Sequence, residues 1–360
     1  MKITCVIGTL GCGGAERVMT HLCGGLASRG HEVTLLTMCN AVPDFYAVPA
    51  GVSRVRLHLP VLQKNGLFTA ASRLWQIVRA VRSTRPEVVI SFMTLSVLGA
   101  CWLLRVPYIF ADHLDVRRPP EKWKWKLLRR FLLSRAKKVT VLSERDRKFL
   151  AMHHPAWRVQ IVYNPALAPA EGVFPRPSFM QADKKYVVAV GRLVKQKGFD
   201  RLLQAWRRVC DDFPNWRLCL IGAGPDEAEL KGLADTLDIL YSVSFVPPQQ
   251  GLNGVYCHAD LYAMSSRAEG FPMVLLEAMA FGVPAVSFSC TGPDVIIRDG
   301  VDGFLVKQND TDRLAAKLAE LMQDDAKRQR FGKKAQEVTS HFSLQKYLDA
   351  YERLCKDAVK

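Results

Sequence analysis

Residues 186–211 read YVVAVGRLVKQKGFDRLLQAWRRVCD. A short apolar run is followed by a turn with glycines and cations, and then by a stretch whose apolar residues recur at helical spacing. A short run rich in valine is typical of a buried strand, and the spacing after the turn is typical of an amphipathic helix. Strand, turn and helix in this order form the unit of a parallel sheet covered by helices, so the segment predicts an α/β fold.

The same alternation extends through both halves of the chain. We predict strands at residues 3–8, 32–37, 87–92, 108–111, 138–142, 186–191, 217–222, 259–263 and 284–288. Helical patterns include residues 15–28, 67–82, 199–211, 226–236, 273–281 and 311–323. Because the alternation occurs twice, we predict two Rossmann-like domains that face each other across a cleft. The stretch from Asn164 to Pro177, with four prolines, is the predicted linker.

The composition is that of a folded protein. Of 360 residues, 49% are apolar and 23% are charged, which excludes a disordered or collagen-like chain. The ten cysteines include no C-x-x-C pair, so we interpret them as buried thiols in a reducing cytoplasm and expect no zinc site. We predict no signal peptide, and the longest uncharged run, Val88 to Leu104, is too short and too polar for a convincing membrane span.

The positive charge is concentrated in the first half. The formal net charge is +16, and before Pro165 there are 25 Lys and Arg against 9 Asp and Glu, whereas 25 stand against 25 after it. Such asymmetry indicates that the first half faces an anionic partner, either nucleic acid or an anionic membrane surface.

A glycine-rich turn follows the first predicted strand. It reads GCGGAE from Gly11 to Glu16 and precedes a helix. Glycines let the backbone approach a ligand closely, and a helix N-terminus favours an anion. Glu16 takes the place of the last glycine of the dinucleotide fingerprint, so the turn is not that fingerprint. A glycine-rich turn without a ligand is the alternative.

The turn from Gly191 to Gly198 carries two cations, Arg192 and Lys197, at the start of a helix. A guanidinium and an ammonium group both complement phosphate oxygens, so we predict that this turn binds a diphosphate. The alternative is a pair of surface cations.

Residues 267–277, RAEGFPMVLLE, contain two glutamates. Glu269 precedes a predicted helix and Glu277 lies about two turns inside it. We predict that the carboxylates bind hydroxyl groups while backbone amides at the helix start bind a phosphate or a sugar. The amides in question lie near Phe271, Pro272, Met273 and Val274. The alternative is an acid at a helix start and an unrelated surface acid.

Together, the Gly13-Gly14-Ala15-Glu16 loop, the 191–198 turn and the Glu269-x7-Glu277 element resemble the motifs of the retaining glycosyltransferases of family 4, which have the GT-B fold. The resemblance covers nearly the whole chain and is closest to compact bacterial enzymes that build cell-surface glycans or lipid-linked oligosaccharides. It implies an acceptor- and membrane-facing domain at 1–165, a nucleotide-sugar domain at 178–342, and a C-terminal helix at 343–360 that returns to the first domain.

The resemblance also implies roles for individual residues. Arg192 and Lys197 would hold the donor diphosphate, Glu277 would bind the ribose, and Glu269 would lie beside the transferred sugar. The other implied contacts are Gly13 and Gly14 in a loop that closes over sugar and phosphate, His113 at the donor sugar, Gly222 in a turn of the nucleotide domain, and Val246 near the base. The predicted catalytic residues are His113, Glu269, Arg192 and Lys197, and no metal or cofactor is expected. For His113 alone, a hydrogen-bonded histidine at a strand end is the alternative.

A basic segment with aromatic residues lies in the first half. From Arg117 to Lys138 the chain carries ten Lys and Arg and one Glu. Cations and tryptophans alternating on a helix are typical of an amphipathic helix that lies on anionic lipid. The predicted membrane-contacting residues are Trp123, Lys124, Trp125, Lys126, Arg129 and Arg130. The alternative is a core helix with a solvated basic face.

The combined prediction is a retaining, metal-independent transferase that moves a hexose or N-acetylhexosamine from a UDP-sugar to a hydroxyl of a polyprenyl-linked glycan. It is expected in the cytoplasm, attached to the inner face of the membrane. Three alternatives stay open: a soluble glycan acceptor, a nucleotide-sugar epimerase with the same fold, and a basic nucleic-acid-binding protein. Because the sequence has no recognisable nucleic-acid-binding motif, nucleic acid is not an expected partner.

Overall fold

The computed structural model describes residues 1–39, 43–59, 67–113, 123–169, 172–249 and 251–360, without the side chains of residues 67–70 and 124. Contacts divide the chain into two compact units. Met1–Pro165 and Leu344–Lys360 form the first, here called the N-terminal domain, and Ala166–Ser343 form the second, the C-terminal domain.

Parallel strands form the centre of the N-terminal domain. Among the described residues they are β1 (Lys2–Ile7), β2 (Glu32–Thr37), β3 (Val52–Arg56), β4 (Val88–Phe92), β5 (Tyr108–Ala111), β6 (Lys138–Val141) and β7 (Val159–Ile161). Their order in the sheet is β3-β2-β1-β4-β5-β6-β7. The helices between them are α1 (Gly14–Ser28), α2 (Leu67–Thr84), α3 (Leu95–Leu104), α4 (Trp123–Ser134) and α5 (Glu144–His153). Because a parallel sheet is covered on both faces, β4 and β5 are buried along their whole length.

The C-terminal domain repeats this architecture. Its described strands are β8 (Lys185–Val190), β9 (Trp216–Ile221), β10 (Val243–Val246), β11 (Leu261–Met264), β12 (Ala285–Phe288) and β13 (Gly303–Val306), in the order β10-β9-β8-β11-β12-β13. Its helices are α6 (Phe199–Arg207), α7 (Glu227–Thr236), α8 (Asn253–Cys257), α9 (Met273–Ala280), α10 (Pro293–Ile296), α11 (Thr311–Gln323), α12 (Asp325–Ala335) and α13 (Val338–His341). The buried Trp206 anchors the core, and its ring N–H donates to Ser242 Oγ over 3.0 Å.

The last helix, α14 (Leu344–Val359), packs on the N-terminal domain. It buries Tyr347, Leu348 and Tyr351. A side chain at Gly25 of α1 would overlap Leu348, so the glycine permits the two helices to approach closely. Arg29, directly after α1, also forms ion pairs with two carboxylates of α14.

The predicted α/β architecture with parallel sheets is confirmed, but β3, β7, β10 and β13 were not predicted from the sequence. These are the outermost strands of the two sheets. An edge strand has a neighbour on one side only and is less completely buried, so its sequence lacks a long apolar run. The burial of β3 and β7 is accordingly partial, whereas the central strands are almost fully buried.

The strand order reverses direction once in each sheet. In the N-terminal domain the reversal lies between β1 and β4, and in the C-terminal domain it lies between β8 and β11. In open parallel sheets, ligands bind beyond the carboxyl ends of the strands at such a point. The loops after these four strands are therefore where each domain can bind a ligand.

Candidate active site

Glycines bring the loops at the reversal point of the C-terminal domain into backbone contact. A Cβ at Gly222, after β9, would overlap the carbonyl oxygen of Gly191, after β8. A Cβ at Gly198 would likewise overlap the carbonyl oxygen of Ser265, after β11. Both glycines have positive φ, +154° and +67°, which other residues rarely adopt. These positions therefore require glycine, and the glycines let the three loops pack closely against one another.

An arginine fastens the loop after β11 to the turn after β8. Arg267 donates two hydrogen bonds to the Asp200 carboxylate, of 2.8 and 2.6 Å, and one to the Lys195 carbonyl. Gln196 Nε2 donates back to the Ala268 carbonyl over 2.9 Å. Burial alone would raise the pKa of Asp200, but Arg267 outweighs it and holds the pKa below its usual value. We call this contact the Arg267–Asp200 clamp.

The clamp fixes a cation next to a carboxylate. Lys197 Nζ lies 2.6 Å from Glu269 Oε1, and Ser266 Oγ donates to the same oxygen over 2.7 Å. Both charged side chains are mostly buried, with 18% and 9% of their surface exposed. Arg192, five residues before Lys197, is exposed, and its guanidinium has no ion-pair or hydrogen-bond partner among the described residues. The structure thus brings Lys197 and Glu269 together and leaves Arg192 available at the same turn.

The second glutamate lies inside the domain. Glu277 is only 7% exposed, and Tyr256 Oη lies 3.5 Å from its Oε2. Burial raises the pKa of Tyr262, and the nearby charges of Glu269 and Glu277 raise it further, so the tyrosine lies close to both carboxylates. This burial contradicts the interpretation of Glu277 as a surface acid.

The start of α9 and the neighbouring loops complete the C-terminal site. Phe271 and Met273 are buried, and Pro272 directly precedes the helix. Val246, at the end of β10, is buried, and its carbonyl accepts a hydrogen bond from the Gly222 N–H over 2.9 Å. Val274 is the second residue of α9, and its carbonyl accepts a hydrogen bond from Tyr256 Oη over 3.3 Å. Gly222 follows β9 and Val246 ends β10, whereas the other predicted donor-binding residues of this domain lie on the loops after β8 and β11 or in α9.

Two contacts in this site were missed by the sequence analysis. Asp200 has no local signal, because its partner is distant in sequence. The loop after β12 is the other: the Gly292 N–H donates to the Glu269 carbonyl over 3.1 Å, and a side chain at Gly292 would overlap Pro272. Burial and the charge of Glu269 raise the pKa of Cys290 in this loop to about 12, so it is a neutral thiol.

In the N-terminal domain, the glycine-rich turn is covered by its own glutamate. Gly13 caps α1, and the Glu16 carboxylate folds back over it so that a Cβ at Gly13 would overlap Glu16 Oε2. Thr9 Oγ1 donates weakly to Glu16 Oε1 over 3.4 Å. Gly14 is the first residue of the helix. An anion can reach the Gly13 backbone only if this carboxylate turns away.

His113 follows β5 in the same domain. Its ring packs on Phe92 with 4.2 Å between centroids. The residue is half-buried, but its Nδ1 is fully buried and has no hydrogen-bond partner among the described residues. Burial lowers the pKa of His113 to about 3, so the ring is neutral at physiological pH.

One predicted membrane-contacting residue is turned toward the domain. Arg129 of α4 forms an ion pair with Asp112, the residue before His113, with 2.7 Å between Nη2 and Oδ2. Its guanidinium also lies over the Trp157 ring. Only 15% of the Arg129 side chain and 6% of the Asp112 side chain are exposed. The assignment of Arg129 to the lipid-facing set is therefore wrong, because the fold supplies an internal carboxylate for it.

The rest of α4 exposes aromatic and basic residues. Trp123 and Trp125 are 66% and 45% exposed, and Leu127 is 58% exposed. The helix packs on the domain through the buried Leu132 and Leu133. Lys126 and Arg130 are exposed, whereas the Lys124 side chain and residues 117–122 of the predicted basic segment lie outside the described residues. The exposed surface is thus apolar as well as basic, unlike the solvated basic face of the alternative.

In the ranges that the structure describes, no three or more His, Cys, Asp or Glu side chains form a group that could hold a metal ion. No described helix combines the length and the apolar character needed to cross a membrane.

Comparisons with known proteins decide the family. A model described as Glycosyltransferase Family 4 matches residues 12–166, and one described as Glycosyl transferases group 1 matches residues 174–338. The amylovoran biosynthesis glycosyltransferase AmsD of Erwinia amylovora is 31% identical over 331 residues, 90% of each chain. The chain belongs to the group 1 glycosyltransferases.

Two more relatives of this glycosyltransferase are informative. HepE of Anabaena, solved in complex with UDP and glucose, superposes with a TM-score of 0.81 at 19% identity over 99% of both chains, which shows the shared GT-B fold. An α-1,4-N-acetyl-D-galactosaminyltransferase of Campylobacter jejuni is 26% identical over 96% of this chain and 95% of the relative. Its name gives a diphosphate-linked undecaprenol glycan as its acceptor. The predicted family and fold are confirmed, and the roles of individual site residues stay predictions.

Proposed function

We propose that this glycosyltransferase moves a hexose or N-acetylhexosamine from a UDP-sugar, with retention of configuration, to a polyprenyl-linked glycan in bacterial surface polysaccharide assembly. The observation that carries the proposal is the site at the carboxyl ends of β8 and β11. There Lys197 and Glu269 are paired at 2.6 Å, and Arg192, which has no side-chain partner among the described residues, lies on the same turn.

The cations suit the donor diphosphate. Phosphate oxygens are held well by a guanidinium group and by a fixed ammonium group. As the bond between the anomeric carbon and the diphosphate breaks, negative charge accumulates on the leaving oxygens. Arg192 and Lys197 would stabilise that charge, and because Lys197 is already held by Glu269, little reorganisation is needed at the moment of reaction.

Retention follows when the acceptor hydroxyl attacks from the face that the diphosphate leaves. A bond forms between the acceptor oxygen and the anomeric carbon, the bond to the diphosphate breaks, and the hydroxyl proton passes to a diphosphate oxygen. This reaction needs no protein nucleophile. The pairing of Glu269 with Lys197 and Ser266 favours a role in positioning the sugar.

The neutral His113 fits the predicted contact to the donor sugar. The sugar becomes positively charged in the transition state, and a second positive charge nearby would oppose this. Because burial lowers the pKa of His113 to about 3, the ring offers a hydrogen-bonding nitrogen without a charge.

The base and the acceptor are supported by relatives. UDP is the nucleotide bound in the HepE structure, and the Campylobacter jejuni relative is named for an undecaprenol-linked acceptor. The relation to AmsD, named for amylovoran biosynthesis, supports a role in surface polysaccharide assembly. The family assignment favours sugar transfer over the epimerase and nucleic-acid-binding alternatives.

A transfer assay tests the reaction and the acceptor together. Labelled UDP-sugars are incubated with the full chain and with either a polyprenyl-diphosphate-linked glycan or the same glycan free in solution. We expect transfer to the lipid-linked glycan with an unchanged anomeric configuration. Inverted product would contradict the mechanism, and equal transfer to the free glycan would contradict the lipid-linked acceptor.

Peripheral attachment to an anionic membrane through α4 belongs to the same proposal. The helix exposes Trp123 and Trp125 together with Lys126 and Arg130. Each cation near an anionic surface contributes about 1 kcal/mol, so neutralising two should weaken binding by about 30-fold.

Flotation with vesicles of phosphatidylcholine and phosphatidylglycerol measures this. The test variant is Lys126→Gln with Arg130→Gln. The matched control is Arg145→Gln with Lys148→Gln, which removes the same charge from exposed positions on α5. Equal losses in the two variants would contradict attachment through α4.

A further inference from the structure

A groove of about 690 Å³ lies in the N-terminal domain. It is formed by the end of α3, the start of β5, the segment after α4 and the last turn of α14. Because β5 begins at Tyr108 in the groove and ends before His113, the groove lies at the amino ends of the strands. Its volume is within the range of sites for small molecules, roughly 300–1,000 Å³.

Three cations line the groove. They are Arg105, Arg135 and Lys137, and none of them forms an ion pair with a carboxylate of the described residues. Arg135 is held in place, because its guanidinium lies 3.6 Å from the centroid of the Phe131 ring and donates to the Phe131 carbonyl. Such unpaired and partly oriented cations are suited to an anionic group of a ligand.

The same groove is also apolar. Trp102, Leu103 and Val359 line it and are 45%, 54% and 45% exposed. Large apolar side chains left in water beside cations complement a molecule with an anionic head and a hydrocarbon chain. A nucleic acid would use the cations but would leave most of this apolar lining exposed to water.

The groove is continuous with the exposed face of α4. The Trp102 ring contacts the Phe131 ring edge-on, with 5.3 Å between centroids. Phe131 belongs to α4 and is itself 37% exposed. A lipid bilayer contacted by the aromatic residues of α4 would therefore be adjacent to the groove.

We propose that this groove binds one anionic phospholipid of the bilayer. Arg105, Arg135 and Lys137 hold the phosphate, and an acyl chain lies on Trp102, Leu103 and Val359. The inference deepens the proposed function, on which it rests, because it adds a specific lipid site to the general attachment through α4. Lipid binding there would also orient the domain on the membrane.

The test uses the full chain and a lipid that binds as a monomer. Short-chain phosphatidylglycerol below its micelle concentration is titrated calorimetrically, with glycerol phosphate and inorganic phosphate as head-group probes. The groove variant is Arg135→Gln with Lys137→Gln, and the control is Arg145→Gln with Lys148→Gln. We expect the groove variant to bind the lipid at least about tenfold more weakly, because it loses charge-assisted contacts to the phosphate, and the control to bind it as the wild type does.

A second variant distinguishes contacts to the acyl chain of the lipid from contacts to its head group. Trp102→Ala keeps all three cations, so it should weaken lipid binding and leave the weak binding of glycerol phosphate unchanged. Thermal melting of each variant verifies that the domain is folded. Inorganic phosphate binding as tightly as the lipid would overturn the proposal, because the site would then be an anion site only.

The remaining outcomes distinguish this proposal from the proposed function. If the wild type does not bind monomeric lipid, the groove proposal is overturned, although flotation through α4 and sugar transfer can still be observed. The groove would instead be a nucleic-acid surface if the wild type bound a single-stranded oligonucleotide but no lipid, and the groove variant lost the oligonucleotide binding. That result would overturn the lipid proposal.

Discussion

Replacement of Arg267 by alanine tests whether the Arg267–Asp200 clamp holds the donor loops in place. The variant removes two hydrogen bonds to the Asp200 carboxylate and one to the Lys195 carbonyl. It leaves Asp200 without its charged partner. Hydrogen bonds to charged groups contribute about 1.5–3 kcal/mol, and breaking a fully buried ion pair costs about 3–5 kcal/mol.

The partial exposure of the pair lowers that cost. Arg267 and Asp200 expose 26% and 32% of their side chains, so solvent screens part of the interaction. We expect the variant to lose about 2 kcal/mol. For a domain of this size, 1 kcal/mol shifts the melting temperature by about 2–4 °C, so the expected decrease is roughly 4–8 °C.

The loss of stability in the Arg267→Ala variant should also depend on pH. Arg267 holds the pKa of Asp200 below its usual value of 3.8, so the contribution to stability is complete above that value and is lost as the pH falls through the lower native pKa. The difference between wild type and variant should therefore shrink at strongly acidic pH.

The assay is thermal melting with and without UDP. Besides the lower melting temperature, the variant should gain less stability from UDP, because the turn that carries Lys197 is no longer fastened to the loop that carries Glu269. Arg330→Ala, at an exposed arginine of α12, is the matched control. A variant with wild-type melting and a wild-type response to UDP would refute the clamp.

Three further predictions concern single residues. Gly222→Ala should destabilise the C-terminal domain by at least about 2 kcal/mol in urea unfolding, because its φ of +154° and the Gly191 carbonyl exclude a side chain. Gly232→Ala in α7 is the control and should not destabilise the domain, because the space around Gly232 is open. Equal stabilities of the two variants would contradict the close packing of the loops. The native His113 takes up a proton only near its pKa of about 3, against 6.5 in the unfolded chain, so wild-type stability should fall as the pH drops from 6.5 to about 3. His113→Gln should flatten this part of the profile of stability against pH. An unchanged profile would contradict the buried neutral ring. Glu277→Gln should bind UDP at least about tenfold more weakly in calorimetry while melting close to the wild type, because a charged hydrogen bond to the ribose is lost; unchanged affinity would remove Glu277 from the donor site.

The sequence was sufficient to predict those elements that a short stretch of residues makes recognisable. The central strands are continuous apolar runs, and the three turns combine glycines with charged residues in a short stretch, so both were recognisable. The edge strands β3, β7 and β10 were not, because partial burial leaves them without such a run, and the largely buried β13 is only four residues long.

Long-range partners account for the rest. Nothing near Asp200 indicates that Arg267 will reach it, and nothing in α4 indicates which of its cations the fold will pair. Arg129 and Arg130 are neighbours in sequence, yet among the described residues Arg129 pairs with the buried Asp112 carboxylate and Arg130 forms no ion pair. An amphipathic pattern predicts a basic helix but not the position of a distant acid, so the assignment of Arg129 failed for a physical reason.

The central claim is that the turn after β8 binds the diphosphate of a uridine nucleotide. A thermal-shift panel of UDP, GDP, ADP, NAD and NADP against wild type, Arg192→Ala and the Arg330→Ala control tests it directly. A ligand at 100 times its Kd stabilises the native state by about 2.7 kcal/mol, which is roughly 5–10 °C for a domain of this size. We expect UDP to give this shift in the wild type and the control, and most of the shift to be lost in Arg192→Ala. A shift that survives in Arg192→Ala, or one produced only by a dinucleotide, would contradict it.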